Sequence, residues 1–276
     1  MTRPVTPMLA ITAPRLTWPT GGMWVQPKFD GLRCIVDPVA GPMLRSGEPV
    51  PCPAVRAALA DAALIGLDGE LTAPGGLEAA QSAFTGQGAP PAGWRFTAFD
   101  DLTAFSQPFA RRLEKLRSRA AGLPPFALIS PARHAATAAD AAEAFAAVVA
   151  DHRAQDPARD LDGLILRNPR FAYREGRASA HRAELVKIKP MDEGETPILD
   201  VAARHDDPDA LASVMIHAAG RDQWVPAGLP RAEARRLWSE RDGVIGRPAV
   251  IRCWGRTGRG ALRHAVAVAV RRDLAT

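Results

Sequence analysis

Near residue 190 the hydrophobic pattern of this chain changes, and the change limits the folds open to it. Upstream, short runs with strand character alternate with helical stretches. A strand–turn–strand pattern covers Met23 to Ile35, and further strand-like runs lie at Ala63–Leu71, Trp94–Phe99, Leu161–Leu166 and Glu184–Ile188. Between them the spacing predicts helices over Pro53–Ala62, Pro108–Ala121 and Thr137–His152. In the second of these, Phe109, Leu113 and Leu116 share one face, and Arg111, Arg112, Lys115 and Arg119 share the other. Downstream the pattern is short strands, Ile198–Ala203, Ala212–His217, Ala249–Trp254 and Leu262–Val270, interrupted by one short helix near Arg231–Trp238. Met191–Pro197, polar and turn-rich, reads as a hinge, and residues 1–22, rich in Pro and Thr, read as an extended lead-in. The expectation is an α+β body of helices on antiparallel sheets over residues 1–194, then a small β-barrel over 195–276.

Composition narrows the function classes. No apolar run reaches the ~18 residues of a membrane span, and Met8–Ile11 is too short for the core of a signal peptide. An intracellular, cytoplasmic protein is expected, with no membrane partner. Cys34, Cys52 and Cys253 are odd in number and lack CxxC spacing, so buried thiols are expected rather than disulfides or a zinc site. Charge is uneven. Residues 228–276 hold eleven arginines against four acids, a net +7, while the whole chain carries +5, so the remainder sums to −2. A basic tail favours a polyanionic partner, nucleic acid first.

Of 35 basic side chains only four are lysines: Lys28, Lys115, Lys187 and Lys189. Three of them sit in two short phrases, Gln26-Pro27-Lys28-Phe29-Asp30-Gly31-Leu32-Arg33 and Val186-Lys187-Ile188-Lys189-Pro190. Lysine has what arginine lacks, an amine that can lose its proton and attack an electrophile. In the first phrase Lys28 follows a strand, Gly31 permits a tight turn that would bring the backbone near a ligand, and Arg33 could pair with a phosphate or carboxylate. Further phrases follow in order: Leu44-Arg45-Ser46-Gly47, Leu67-Asp68-Gly69-Glu70-Leu71, Phe96-Thr97-Ala98-Phe99-Asp100-Asp101 and Asp162-Gly163-Leu164-Ile165-Leu166-Arg167. Gly255-Arg256-Thr257-Gly258-Arg259-Gly260 reads as a hairpin turn and lacks the Lys-Ser/Thr ending of a phosphate-binding P-loop.

That order of motifs resembles the covalent nucleotidyltransferase superfamily, and within it the minimal ATP-dependent DNA ligases. The resemblance runs from about Trp24 to Asp273 and includes the OB-domain landmarks Trp224–Leu229, Ile245–Pro248 and Gly260–His264. It implies a nucleotidyltransferase domain, ATP-grasp-like, followed by an OB-fold. It implies Lys28 as the nucleophile on the α-phosphate of ATP, with Gln26 and Phe29 flanking it, where backbone or side-chain contacts would read adenine. Arg33 and Glu70 resemble the ribose and phosphate contacts, Phe99 the aromatic that stacks on the purine, and Arg45 the residue that grips the nick 5′-phosphate. Lys187 and Lys189 resemble the α-phosphate contacts, and Glu70 and Asp162 the carboxylates that hold Mg²⁺ or Mn²⁺. Tyr173-Arg174-Glu175-Gly176-Arg177 fits a further family pattern, but the gap to Lys187 is long, so Arg177 and Arg182 compete for a phosphate-contacting role. Asp30 belongs to the nucleophile motif, and Arg271-Arg272-Asp273-Leu274 resembles the last motif without its final lysine. Asp162 stands where the family usually has Glu.

Elementary chemistry agrees with that reading. A lysine with an ordinary pKa near ~10.4 is a poor nucleophile at neutral pH, and nearby cations such as Lys187 and Lys189 would lower it. The same cations would stabilise charge on transferring phosphoryl oxygens. The expectation is a monomer, with no protein-partner motif, that seals 5′-phosphate/3′-OH nicks in duplex DNA through a lysyl-AMP intermediate. Arg45, Arg256, Arg259 and Arg263 would contact the DNA. The rivals are an RNA ligase or capping-type nucleotidyltransferase, and a nick-binding protein with a decayed active site.

Overall fold

The computed structural model describes residues 3–12, 16–157, 161–188, 192–218, 220–253, 261–262 and 265–272. The chain divides into two compact units, Met1–Lys189 and Pro190–Thr276. The division falls before the segment expected as a hinge. Past Met191, which lies outside the described residues, that segment is strand: Asp192–Ala203 is one continuous strand whose first half, Asp192–Pro197, pairs antiparallel with Pro248–Cys253. Its polar side chains made it look like a linker, but Glu193 and Glu195 are exposed, and an antiparallel sheet with a solvated face carries polar residues freely.

The first unit is built on two sheets. One has the strand order Leu185–Ile188, Leu161–Arg167, Met23–Phe29, Arg133–Ala135, all antiparallel. Side chains alternate across a strand. Val25, Leu166 and Val186 lie in one cross-strand row, all buried, and pack with Ala144 and Val148 of the helix Ala141–Gln155. The opposite face carries the neighbouring row Gln26, Ile165 and Lys187. The second sheet runs Gly41–Leu44, Leu32–Asp37, Leu67–Thr72, Arg95–Asp101, Ala127–Ile129, antiparallel except for its last, parallel pair. Cys34, Leu67, Leu71, Phe96 and Ala98 belong to its core, which the helices Pro53–Leu59, Gly76–Thr85 and Phe109–Ser118 close with Val55, Leu59, Phe84, Leu113 and Leu116. The expected strand Ala63–Leu71 begins instead as a short 3-10 turn, Ala62–Leu64, because the Asp61 carboxylate accepts the Ala63 N–H and caps it. The lead-in is partly ordered by pairing: Met8–Leu9 lies parallel to Gly176–Arg177, and Ile11 bridges Val186.

The second unit is a five-stranded sheet in the order Arg221–Pro226, Leu211–Ala218, Asp192–Ala203, Pro248–Cys253, Val266–Val270. A parallel bridge from Ala227 to Ala267 joins its two edges. The helix Arg231–Ser239 buries Ala234 and Leu237 on the same core as Val214, Ile216 and Ile251. A meander of three strands, a helix, two more strands and a single parallel contact between the edges is the partly open OB barrel. Cys34, Cys52 and Cys253 are free and buried, as expected. Among the described residues, no helix is long and apolar enough to cross a membrane.

Candidate active site

The first sheet delivers Lys28 through an irregularity. Pro27 pairs with Leu164 and Phe29 with Leu161, so Asp162 and Gly163 together oppose the single Lys28. Gly163 takes φ +125°, a conformation that suits glycine. This bulge turns the Asp162 carboxylate onto the Lys28 Nζ, with which it makes a close ion pair. The partner of the amine among the described residues is therefore an anion, not the cations expected from the second lysine phrase. Lys187 is half-buried in the same row as Gln26 and Ile165. Lys189 lies outside the described residues.

Gly31 acts differently from its expected role. A Cβ there would lie 2.1 Å from the Leu71 carbonyl oxygen. The close approach that only glycine permits is to the protein's own backbone, where the chain crosses from one sheet to the other between Phe29 and Leu32. Asp30 sits in this crossing, half-buried, and its charge acts on Glu70.

On the second sheet Arg33 pairs across from Glu70, and Ile35 from Asp68, so Arg33, Asp68 and Glu70 share one face. Arg33 forks onto Asp68, Nε to Oδ1 at 2.6 Å and Nη2 to Oδ2 at 2.6 Å. Burial works against the Arg33 charge, but Asp68 outweighs it and holds the guanidinium protonated. Glu70 is half-buried, and its side chain makes no hydrogen bond among the described residues. Burial pushes its carboxyl up to about 7, although Arg33 and Lys28 pull the other way.

Phe99 is the extra residue of a second bulge, between the Asp68–Asp100 and Gly69–Ala98 pairs. Its ring lies 4.7 Å from the Arg33 guanidinium carbon and 5.3 Å from that of Arg167. Its carbonyl accepts Gln26 Nε2 at 3.3 Å, which ties the two sheets together. Gln26 Oε1 is buried with no hydrogen-bond partner among the described residues. Phe29, expected beside it, packs edge-on to His152 of the helix Ala141–Gln155, with ring centroids 5.4 Å apart. Its ring belongs to the helix-covered side, which leaves only its backbone for a nucleotide.

Beneath Phe99 lies a buried charge cluster absent from the sequence-level site. Asp100 receives Arg112 Nε at 2.7 Å, Arg112 Nη2 at 3.1 Å and Arg167 Nη1 at 2.7 Å. Tyr173 donates its hydroxyl to Asp68 Oδ2 at 2.8 Å. The alternation in Leu67–Leu71 already puts Asp68 on the face of Glu70, so Asp68 was findable. The pairing of Asp100 with Arg167 and of Asp68 with Tyr173 joins segments far apart in sequence and has no local signal.

The remaining expected residues are dispersed. Arg45 is exposed on the turn after Gly41–Leu44, where Gly47 N–H donates to the Leu44 carbonyl. Arg177 is exposed in the short strand paired with Met8–Leu9. Arg182 is exposed, 3.7 Å from Glu184 and over the ring of Phe171. In the second unit Arg271 pairs with Glu195, Nη2 to Oε1 at 2.7 Å. Arg256, Arg259, Arg263 and Asp273 lie outside the described residues.

Among the described residues no three His, Cys, Asp or Glu side chains gather as metal ligands. Glu70 and Asp162 nevertheless fit a divalent ion of the magnesium kind, which takes few protein ligands and keeps water and phosphate for the rest. Both carboxylates act on Lys28, and Glu70 has no hydrogen-bond donor of its own.

No protein-family profile matches this sequence, and no curated protein does. Solved structures do. A Lig E DNA ligase shares 23% identity over 96% of this chain and 98% of its own, with a TM-score of 0.68. The Chlorella virus DNA ligase-adenylate shares 18% identity over 98% of this chain and 99% of its own, with a TM-score of 0.58. The ligase domain of LigD from M. tuberculosis shares 22% identity over 97% and 95%, with a TM-score of 0.50. Identities this low establish architecture, and they establish it over both units: the chain has the fold of the DNA ligases, a nucleotidyltransferase unit followed by an OB-fold unit.

Proposed function

We propose that this protein is an ATP-dependent DNA ligase that seals 5′-phosphate/3′-OH nicks in duplex DNA. The observation that carries the reading is the Lys28–Asp162 pair, set in a strand bulge beside Glu70 on a chain that has the ligase fold throughout.

In the first step the Lys28 amine attacks the α-phosphorus of ATP. An N–P bond forms, the bond from that phosphorus to the bridging oxygen breaks, and pyrophosphate leaves with the electron pair. The Asp162 carboxylate touches Nζ and is placed to take the proton that the amine must shed. In the second step an oxygen of the nick 5′-phosphate displaces Lys28 from the AMP. In the third, the 3′-hydroxyl attacks the activated 5′-phosphorus, losing its proton as AMP departs. Glu70 and Asp162 would hold a divalent ion, which neutralises charge on the phosphoryl oxygens. Gln26 and Phe99 form the wall beside Lys28, and Arg33 stands over the Phe99 ring. Arg45, Lys187 and the arginines of the second unit are the proposed phosphate contacts, so binding to nicked DNA should weaken steeply with salt.

The test is incubation with α-labelled ATP and Mg²⁺, followed by denaturing electrophoresis. A label that stays with the protein, is lost in Lys28→Ala and is chased onto nicked DNA supports the reading. If no covalent label forms, or if Lys28→Ala labels and seals like the parent, the proposed nucleophile is wrong. Running nicked RNA and GTP alongside separates the ligase from an RNA ligase or a capping-type enzyme.

A further inference from the structure

We propose that Tyr173, the only tyrosine of the chain, is a positioning residue for nucleotide capture that holds Arg33 both through Asp68 and directly. The inference rests on the function proposed above. Asp68 is fully buried, and its three short hydrogen bonds come from two sources. Arg33 supplies one to each oxygen at 2.6 Å, and Tyr173 supplies the third to Oδ2 at 2.8 Å. The Tyr173 hydroxyl also accepts the Met8 N–H at 2.8 Å, so its single proton is committed to the carboxylate. The ring is fixed by Phe105, 5.3 Å away, and the Tyr173 N–H donates to the Phe105 carbonyl at 3.2 Å. The outcome is a closed linkage: the hydroxyl, held by a backbone amide, donates to the carboxylate that grips the Arg33 guanidinium, and Arg33 Nη2 also donates to the hydroxyl directly at 3.4 Å. That guanidinium sits 4.7 Å from the Phe99 ring on the Glu70 face. Without the hydroxyl, Asp68 Oδ2 keeps only its Arg33 bond and Arg33 Nη2 loses its second acceptor among the described residues, so the guanidinium is held less firmly over Phe99.

The distinguishing variant is Tyr173→Phe, which keeps the ring and removes one oxygen. Lys28 labelling by ATP is followed in a single turnover over a range of ATP concentrations, with the full chain at fixed Mg²⁺. The amplitude at saturation counts folded protein, the limiting rate reports chemistry, and the half-saturating concentration reports capture. The expected result is a half-saturating concentration raised about three- to tenfold, with the limiting rate unchanged. Asp68→Asn, which weakens the same linkage nearer to Arg33, should move capture at least as far. A Tyr173→Phe variant that loses only amplitude overturns the proposal, because that is what a purely structural role gives. So does one that slows the limiting rate with capture unchanged, or one that binds ATP like the parent while Asp68→Asn does not. If the parent protein itself takes no label, the proposed function and this inference fail together, whereas failure confined to Tyr173→Phe removes the inference alone.

Discussion

Asp100→Asn tests the charge cluster on which Phe99 stands. Asp100 is fully buried, and the Arg112 and Arg167 side chains are only 2% and 4% exposed. The carboxylate accepts three charge-assisted hydrogen bonds from the two guanidiniums, and Oδ1 also takes the Asp101 N–H at 3.0 Å. Asparagine keeps one acceptor and turns the other into a donor aimed at an arginine. Two guanidiniums are then left in the interior without a counter-ion. Breaking a buried pair by removing one partner costs about 3–5 kcal/mol. In a unit of this size each kcal/mol moves the midpoint by roughly 2–4 °C, so the first unit should melt roughly 6–20 °C earlier. Calorimetry of the full chain reads the shift. Hydrogen exchange in the strands Leu67–Thr72 and Arg95–Asp101 assigns it to this unit. The pH dependence has a definite sign. Burial pushes the Asp100 carboxyl up, but Arg112 and Arg167 outweigh it and hold it below the usual carboxylate range. Its contribution is therefore complete above the unfolded value near ~3.9 and is lost as pH falls through the lower folded one. The gap between parent and variant should narrow in acid. Replacing Arg112 by Met in the Asp100→Asn background should recover part of the loss, since one uncompensated charge leaves with it. A loss below about 1 kcal/mol at neutral pH, the range of a surface pair, would refute the reasoning.

Other consequences can be checked with the same preparation. Gly31→Ala places a methyl 2.1 Å from the Leu71 carbonyl oxygen, a backbone atom that cannot swing aside, and should cost about 1–3 kcal/mol or more by thermal melting. Leu116→Ala empties a fully buried site in the helix Phe109–Ser118 and should cost about 2–5 kcal/mol in urea, with the m-value unchanged. Glu70 titrates near 7 when folded against 4.5 in the reference state, so the folded protein holds a proton that the unfolded chain releases. Its burial therefore destabilises progressively as pH rises from 4.5 to about 7. Glu70→Gln should gain stability on the parent across that window in parallel melts, while needing more Mg²⁺ for Lys28 labelling. An offset that stays flat with pH would remove Glu70 as the titrating group.

Much of the architecture was readable from pattern. The alternation in Met23–Phe29 and Leu161–Arg167 belongs to half-buried strands, and the apolar stripe Phe109, Leu113, Leu116 is the buried face of a helix. Elements without such a pattern were missed. The strand Arg133–Ala135 is three residues long, and the helix Gly76–Thr85 begins on the second of two glycines, with no capping side chain to announce it. The strand Asp192–Pro197 looked like a hinge because its partner, Pro248–Cys253, is some fifty residues away. In the site, Lys28, Glu70, Phe99 and Asp162 stood out because each belongs to a short distinctive phrase. The Phe29 ring faces the helix-covered side of its strand because neighbours in sequence point to opposite faces, a direction that residue identity alone does not give.

By itself the sequence determined the order of the chemistry: a rare lysine before a turn, a carboxylate at a strand end, an aromatic, an acid–glycine pair and a second lysine phrase. Those depend on residue identity and local period, which are present in the unfolded chain. What only tertiary structure decided is who faces whom. A two-for-one bulge put Asp162, and not another cation, on the Lys28 amine. Sheet register put Glu70 opposite Arg33. Burial then selected the partners, because an arginine removed from water needs a carboxylate, and Asp68 and Asp100 were the acids that the packing brought within reach.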